Sequence, residues 1–482
     1  MDTEAVVDAA TYLAERLEDD GTVAHAVVGG EHALRARIDV TERRKPKSAI
    51  DVEESGVWCR VFAHGSVEYR HSGSLEREEL DRLAERAVSS CRHLATDTPV
   101  SFDAGSLHRD VHHGWASADD HLDDRTVEEK ADDCVDAFSA HLDAECGRAR
   151  LRYRDECRET TLLETSGSAV RTRIDRASVD ATLADDGAVR THLGTTNGTA
   201  IFEELPVTLS VLRDRFERAR SSETTAIEHD DEREVLFAPA AAGRLVRGLV
   251  TYLEADAVAT GLSPFAVGDR FGPDALSIRD TVTAGGFAAL AYDTEIRPTT
   301  PVSLVERGRI STLLHDSVSA IDHGARPAGS VLAGTEREFP PRIAPRHLDV
   351  ASGSVPAEEL RERASVVVER LGMPRWRNET TRTLRSSHVP PDVHYAATMG
   401  ERAPDGGPER LSIPIEEGYL LSGEERGARL DGASVEVEPS ALRGITALGE
   451  VRETLTGTVE KHRTTLPFEV TSPAIVCSCR LR

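Results

Sequence analysis

Lysine is nearly missing from this chain: among 58 basic residues only Lys45, Lys47, Lys130 and Lys461 are lysines, and the others are arginines. Aromatic residues are also scarce, at 4% of 482 residues. No apolar run approaches the roughly 18 residues that a membrane-crossing helix needs. The opening MDTEAVVDAATYLAERLEDD is acidic and helix-patterned, not basic then apolar, so no leader is expected and the protein is expected to be cytoplasmic. Cysteine is sparse and scattered, at positions 59, 91, 134, 146, 157, 477 and 479. An odd count with no framework spacing suits reduced thiols. Cys477-x-Cys479 has no second pair and no nearby histidine, and reads as buried strand thiols behaving as small hydrophobes.

Acid is abundant. Asp and Glu number 84 against 58 Lys and Arg, a formal charge of −26. That charge repels a phosphate backbone and an anionic bilayer, so neither nucleic acid nor membrane is an expected partner. An acidic, lysine-poor surface with few aromatics suits molar salt, where screening relieves self-repulsion of the compact state. The chain reads as halophilic.

A chain of 482 residues is too long for one small core, and two or three domains are expected. Periodicity predicts helices over Ala5–Leu17, from Ser74 through Leu94, and from Val127 to Leu142, the last opened by a Thr126/Glu129 capping box. Strands are predicted around His25–Val40 and Val57–Tyr69. Runs at Ala149–Thr165, Ala169–Leu183 and Ala188–Leu193, divided by Ser166-Gly167 and Asp186-Gly187, predict an antiparallel meander. Pro206 is expected in the first turn of a further helix. The polar stretch Ser221–Glu234 marks a boundary between an N-terminal domain, 1–224, and a C-terminal one, 232–482. Beyond it, Val235-Leu236-Phe237 reads as a strand that feeds a helix through Pro239. The rest is mainly β, with a helix near Ala357–Leu371 and loose segments at Thr96–Asp124 and Ser386–Glu409. The expected class is α+β: an N-terminal α+β domain with a mixed or antiparallel sheet, and a mainly β C-terminal domain.

Catalytic signatures are missing as well. A zinc hydrolase of the H-E-x-x-H type needs two imidazoles one helical turn apart and a glutamate beside the first to act as base. None of the 18 histidines is followed by glutamate. His108-x-x-x-His112, with His113 and His121 nearby, could at most form a relocated metal site, but Arg109 stands where the base would be. There is no G-x-S-x-G elbow, no phosphate-binding Gly-rich loop followed by Lys-Ser or Lys-Thr, and no G-x-G-x-x-G after a strand.

The segment from Glu234, VLFAPAAAGRLVRGLVTYLEAD, ending at Asp256, nevertheless resembles the region of TldD/PmbA metalloproteases that bears, in the TldD branch, a pattern like L-L-H-E-A-x-G-H-x-L-E-x-D. Leu253-Glu254-x-Asp256 match its tail. The first histidine then falls on Val246, the glutamate on Arg247 and the second histidine on Thr251. Further similarity lies in Ser277–Asp280, Tyr292–Glu295, LVERGRISTLLHDSVSA from Leu304, Arg346–Leu360, Gly56–Leu80 and Thr160–Ile174. The late cysteine that completes the zinc site in TldD falls near Val459, and Leu466–Pro473 fits the stretch after it.

The resemblance is therefore to the PmbA branch, also called TldE, which lacks the zinc motif. It implies a non-catalytic subunit of a TldD/TldE-type metalloprotease that degrades or processes small or unfolded peptides. Catalytic and metal residues are expected to be absent here, with zinc in a TldD-like partner of a heterodimer. Glu254, Asp256, Asp293 and Glu295 are expected near the chamber. The competing expectation is a stand-alone binding or scaffolding protein derived from the protease family.

Overall fold

A computed structural model describes residues 3–41, 44–93, 111–113, 120–142, 148–185, 187–227, 232–259, 261–283, 285–327, 329–377, 410–423, 425–461 and 463–482. It has the α+β architecture expected. In the N-terminal half, seven strands form one sheet in the order Ser66–Ser72, Arg44–Ala63, Val23–Thr41, Arg148–Glu164, Ala169–Ala184 and Val111–His113, with Ala188–Thr195 also paired to Ala169–Ala184. Only Val111–His113 is parallel to its neighbour; the predicted meander is present and antiparallel.

Two cores lie against this sheet. Helices Thr3–Glu18 and Arg77–His93 bury Leu13, Leu17, Leu80 and Leu83 against Val57 and Val61. Helices Val127–His141 and Ile201–Ser221 bury Phe138, Leu209 and Leu212 against Leu151, Tyr153 and Val179. The first helix can approach because Gly30 lacks a side chain: a Cβ there would lie 2.9 Å from Val6 Cγ1. One residue earlier, a Cβ on Gly29 would strike the Trp58 ring at 2.2 Å, so neither position tolerates a larger residue without movement.

In the C-terminal half, the strand Thr464–Leu481 crosses the middle of a thirteen-stranded mixed sheet, parallel to His347–Val350 and antiparallel to Glu232–Phe237. The helix Pro239–Val250 packs on it and is buried all round, from Ala240 to Gly243 and from Leu245 to Val250. Pro239 opens that helix, where a missing N–H costs nothing. The strand Thr224–Thr225, on the connection from the N-terminal half, pairs with Arg429 and Leu430 of this sheet.

Three local readings are corrected and one unpredicted strand is added. The strand expected over Val57–Tyr69 is two, broken at His64-Gly65, where both residues take positive φ. Arg44–Gly56 is also strand, although its charges hide the alternation. Pro206 lies inside a helix that starts at Ile201, not in a first turn of its own. Ala357–Leu371 divides into a helix, Ala357–Glu362, and a strand, Val366–Leu371, because three successive β-branched valines favour the pleated, half-buried setting. The segment Ser386–Glu409 lies outside the described residues.

Arginine joins the halves. Arg35 and Arg158 donate to the carbonyls of Thr335 and Gly334 at 2.8 and 2.9 Å, and Arg176 donates to that of Phe287 at 2.9 Å. Arg215 grips Glu417 Oε2 with two nitrogens, at 2.6 and 2.9 Å, and Arg60 reaches both Glu295 and Asp316. A planar fork of donors suits these desolvated junctions better than an ammonium does.

Candidate functional site

The helix Pro239–Val250 and the turn Thr251–Leu253 bring Val246, Arg247 and Thr251 onto neighbouring turns, deep in the C-terminal core. Val246 is wholly buried among Leu245, Leu249 and Val470. Arg247, 3% exposed, donates through Nη1 to Thr251 Oγ1 at 3.0 Å, and the same nitrogen lies 3.6 Å from Glu254 Oε1. Its guanidinium carbon sits 5.9 Å from the Phe468 ring centre, and that of Arg244 sits closer, at 4.8 Å. Burial pulls the Arg247 pKa below its ordinary value, against the attraction of Glu254.

The acid at the centre is Glu254, with no exposed surface. Lys461, one of the four lysines, donates to Glu254 Oε2 and to the carbonyl of Ile343, both at 2.6 Å, and lies 2.7 Å from Asp256 Oδ2. Burial raises the Glu254 pKa, and the cations Lys461 and Arg247 oppose that rise. Val459, two residues before Lys461, pairs with Leu466 and packs against the core. Val246 and Val459 have no donor atom for a metal, Arg247 is itself a cation, and the Thr251 hydroxyl already accepts from Arg247. This set does not fit a zinc ion, which takes sulfur, imidazole nitrogen or carboxylate oxygen in a tetrahedron.

Of the four acids expected near a chamber, Asp256 lines a cleft of about 750 Å³ between the halves. Arg60, Tyr69 and Arg70 face it from one side, and Arg342, Pro341 and Arg463 from the other. Glu254 lies in the network just described, tied to the cleft through Lys461. Glu295 is 3% exposed; it accepts from Arg60 and, at 2.7 and 2.6 Å, from the amide and hydroxyl of Ser317. Asp293 is 1% exposed and accepts the backbone N–H groups of Glu295, Arg297 and Val331. Its bonds close a tight turn that holds Ile296 at φ 57, a conformation that costs a β-branched residue about 1–3 kcal/mol. Burial and the Glu295 charge raise Asp293 to about 7.

Lys461 and Arg60 were not among the expected site residues. Lys461 is 207 residues from Glu254 in sequence, and only its rarity could have drawn notice. Of the histidine group, His108 lies outside the described residues. His112 and His113 are described only as backbone, paired with Val170 and Arg171, and His121 bonds Asp175 through Nδ1 at 2.7 Å. Cys477 and Cys479 are buried strand residues, as expected; Cys146 lies outside the described residues.

Among the described residues no helix is long and apolar enough to cross a membrane. Residues 231–381 match the family model described as the PmbA/TldA metallopeptidase C-terminal domain. No curated protein matches the chain. Several solved structures share its fold. One, named as a candidate modulator of a DNA gyrase from Thermotoga maritima, has a TM-score of 0.71 at 16% identity and covers 99% of this chain and 100% of its own. A protein of similar description from Bacteroides thetaiotaomicron has a TM-score of 0.71 at 14% identity, over 98% of each chain. TldE from Thermococcus kodakarensis has a TM-score of 0.69 at 12% identity, over 99% of each. Residues 231–381 are thus similar to the PmbA/TldA metallopeptidase C-terminal domain, and the fold of these solved structures is shared along the chain.

Proposed function

We propose that this chain is the non-catalytic, TldE/PmbA-like subunit of a two-subunit TldD/TldE-type metalloprotease, acting on small or unfolded peptides in a salt-rich cytoplasm. The observation that carries the reading is the buried network of Arg247, Thr251, Glu254 and Lys461. The helix that would bear a zinc motif keeps its packing residues Leu245, Leu249 and Leu253 at zero exposure, while its motif positions hold a hydrocarbon, a guanidinium and an occupied hydroxyl. A zinc-bound water needs three protein ligands and an adjacent base to become a nucleophile, and no such set stands on this helix. Zinc and water activation then belong to a TldD-like partner, and this subunit contributes walls to the peptide chamber, Asp256 and the arginines of the cleft among them.

The test is to tag the chain in its own host, purify it in molar salt and identify what accompanies it in comparable amount. A relative with an intact H-E-x-x-x-H helix is expected, with peptide hydrolysis appearing only when both chains are present. A chain that emerges alone, or hydrolyses peptides unaided, overturns the proposal; emergence alone favours the stand-alone binding role.

A further inference from the structure

Cys157 and Asp175 stand directly opposite each other on the antiparallel strands Arg148–Glu164 and Ala169–Ala184, and Glu159 stands opposite Arg173. Side chains two residues apart share a face, so these four form a square patch. Cys157 is 7% exposed and Asp175 not at all. Above the patch lies the short turn Leu122–Asp124, pinned by buried Leu122 and by the Thr126/Glu129 capping box of the following helix. The turn delivers Asp123 from above, and His121 just before it. His121 Nδ1 is 2.7 Å from Asp175 Oδ2, and the ligand atoms of Asp123, Cys157 and Asp175 all lie within 4.8 Å of one another.

A thiol, an imidazole and two carboxylates, held by three separate elements, match the donor types of a mixed zinc-class site. Metal–donor lengths of about 2.0–2.3 Å place tetrahedral neighbours roughly 3–4 Å apart, so Asp123, Cys157 and Asp175 need close only a little to act as three ligands, and His121, held against Asp175, would have to turn in as the fourth. A cation already bridges the two acids: Arg173 donates to Asp123 and, through Nε at 3.2 Å, to Asp175. Glu159 Oε1 lies 3.6 Å from Arg173 Nη1, a second seat for the guanidinium.

We propose that His121, Asp123, Cys157 and Asp175 form a zinc-class metal site in the N-terminal half, entered by displacing Arg173 from the two aspartates toward Glu159. In binding, the Cys157 S–H bond breaks, the proton leaves to solvent and a sulfur–metal bond forms. His121 contributes a neutral nitrogen and the carboxylates one oxygen each. Two carboxylates and a thiolate carry three negative charges against the two positive charges of the ion, and Arg173 on the rim offsets the remainder. Burial and the neighbouring Asp175 push the Cys157 thiol pKa up. The site fastens the Leu122–Asp124 turn to the sheet and is separate from the helix Pro239–Val250.

The experiment is to titrate Co²⁺ into the full-length protein after chelator treatment, in molar KCl. One equivalent should bind with a thiolate-to-cobalt charge-transfer band, and Zn²⁺ should bleach it. Cys157→Ser should abolish the band. Asp123→Asn, at a position outside the core, should weaken Co²⁺ by at least about tenfold, and Arg173→Gln should tighten it. Lack of a thiolate band, or a band that survives Cys157→Ser, overturns the proposal. If Cys157→Ser fails to fold, Asp123→Asn decides alone, and unchanged affinity in that variant sinks the site. None of these readouts depends on peptide hydrolysis or on a partner chain.

Discussion

Two arginine–carboxylate pairs of the C-terminal half are almost fully buried among the described residues, and they are built differently. Arg346 and Asp280 saturate each other. Arg346 donates Nε and Nη2 to Asp280 Oδ2 at 3.1 and 2.9 Å, and the amides of Arg346 and His347 donate to Oδ1 at 2.9 and 3.1 Å. Arg346 Nη1 and Nη2 also donate to the carbonyls of Gly329 and Thr300, both at 3.0 Å. Arg247 and Glu254 do not saturate each other: they approach only to 3.6 Å, and Arg247 Nε and Glu254 Oε1 have no hydrogen-bond partner among the described residues. Buried charge is costly unless its donors and acceptors are all met. The first pair is thus a saturated clamp, whereas the second leaves a buried donor and a buried acceptor unmet among the described residues.

The largest effect should come from breaking the clamp. Arg346→Ala strands Asp280, whose pKa burial raises and Arg346 restrains, and should cost about 3–5 kcal/mol in urea unfolding at molar KCl. A loss below about 1 kcal/mol would contradict the account of a saturated pair. Lys461→Met should cost less, about 1–3 kcal/mol, because Arg247 remains near Glu254 and Lys461 is itself partly exposed. Its sign with pH is fixed by linkage. Glu254 has a folded pKa above its unfolded one, so its contribution is best when the acid is neutral, and stability falls as pH rises from about 4.5 through the folded value. Loss of the ammonium extends that window upward, so the Lys461→Met penalty should be larger at pH 8 than at pH 5. An equal penalty at both values would mean that Lys461 acts through packing only.

His25 supplies an opposite slope and a third kind of buried pairing. Its Nε2 is 3.7 Å from Glu164 Oε1, the spacing of an ion pair, yet burial, with Arg297 and Arg60 close by, lowers it to about 3, so the imidazole is neutral. A depressed folded pKa gives stability that is complete above the unfolded value and is lost as pH falls from about 6.5 toward 3. His25→Phe should flatten this acid limb by at most about 1.4 kcal/mol per pH unit, the limit for one proton. An unchanged slope would mean that His25 is charged in the folded protein and paired with Glu164.

Local chemistry was legible in the sequence where a signal and its structure lie within a few residues. The Thr126/Glu129 capping box, the meander ending near Thr195 and the strand into Pro239 all stand where the pattern put them. Pro206 misled because the first residues of that helix, Ile201 to Leu205, carry no start signal stronger than the proline itself. Ala357–Leu371 misled because short apolar runs do not separate helix from strand by period. Sites depended on distance along the chain. Val246, Arg247 and Thr251 are picked out by laying one local pattern on another, whereas Lys461 reaches Glu254 only through the long Ile445–Lys461 strand. Cys157 and Asp175 meet because of one strand register, and a slip of one residue would turn them to opposite faces.

The smallest effect tests the comparison most sharply. In the double variant Arg247→Met, Glu254→Gln, the unsaturated pair is replaced without opening space. Methionine follows much of the arginine stem and retains contact with the Phe468 face, and glutamine keeps a carbonyl oxygen for Lys461. The freed Thr251 hydroxyl can turn to the carbonyl four residues earlier on its own helix. Lys461 keeps Asp256 and the Ile343 carbonyl, so no cation is stranded. Replacing a buried ion pair by well-packed neutral groups is often close to neutral, so stability should stay within about 1 kcal/mol of the parent and depend less on pH above about 4.5. A loss of about 3 kcal/mol or more would make this network as necessary as the Arg346–Asp280 clamp. The Arg247 and Glu254 charges would then be structural parts of the helix site, and the contrast between a saturated clamp and an unsaturated one would have to be given up.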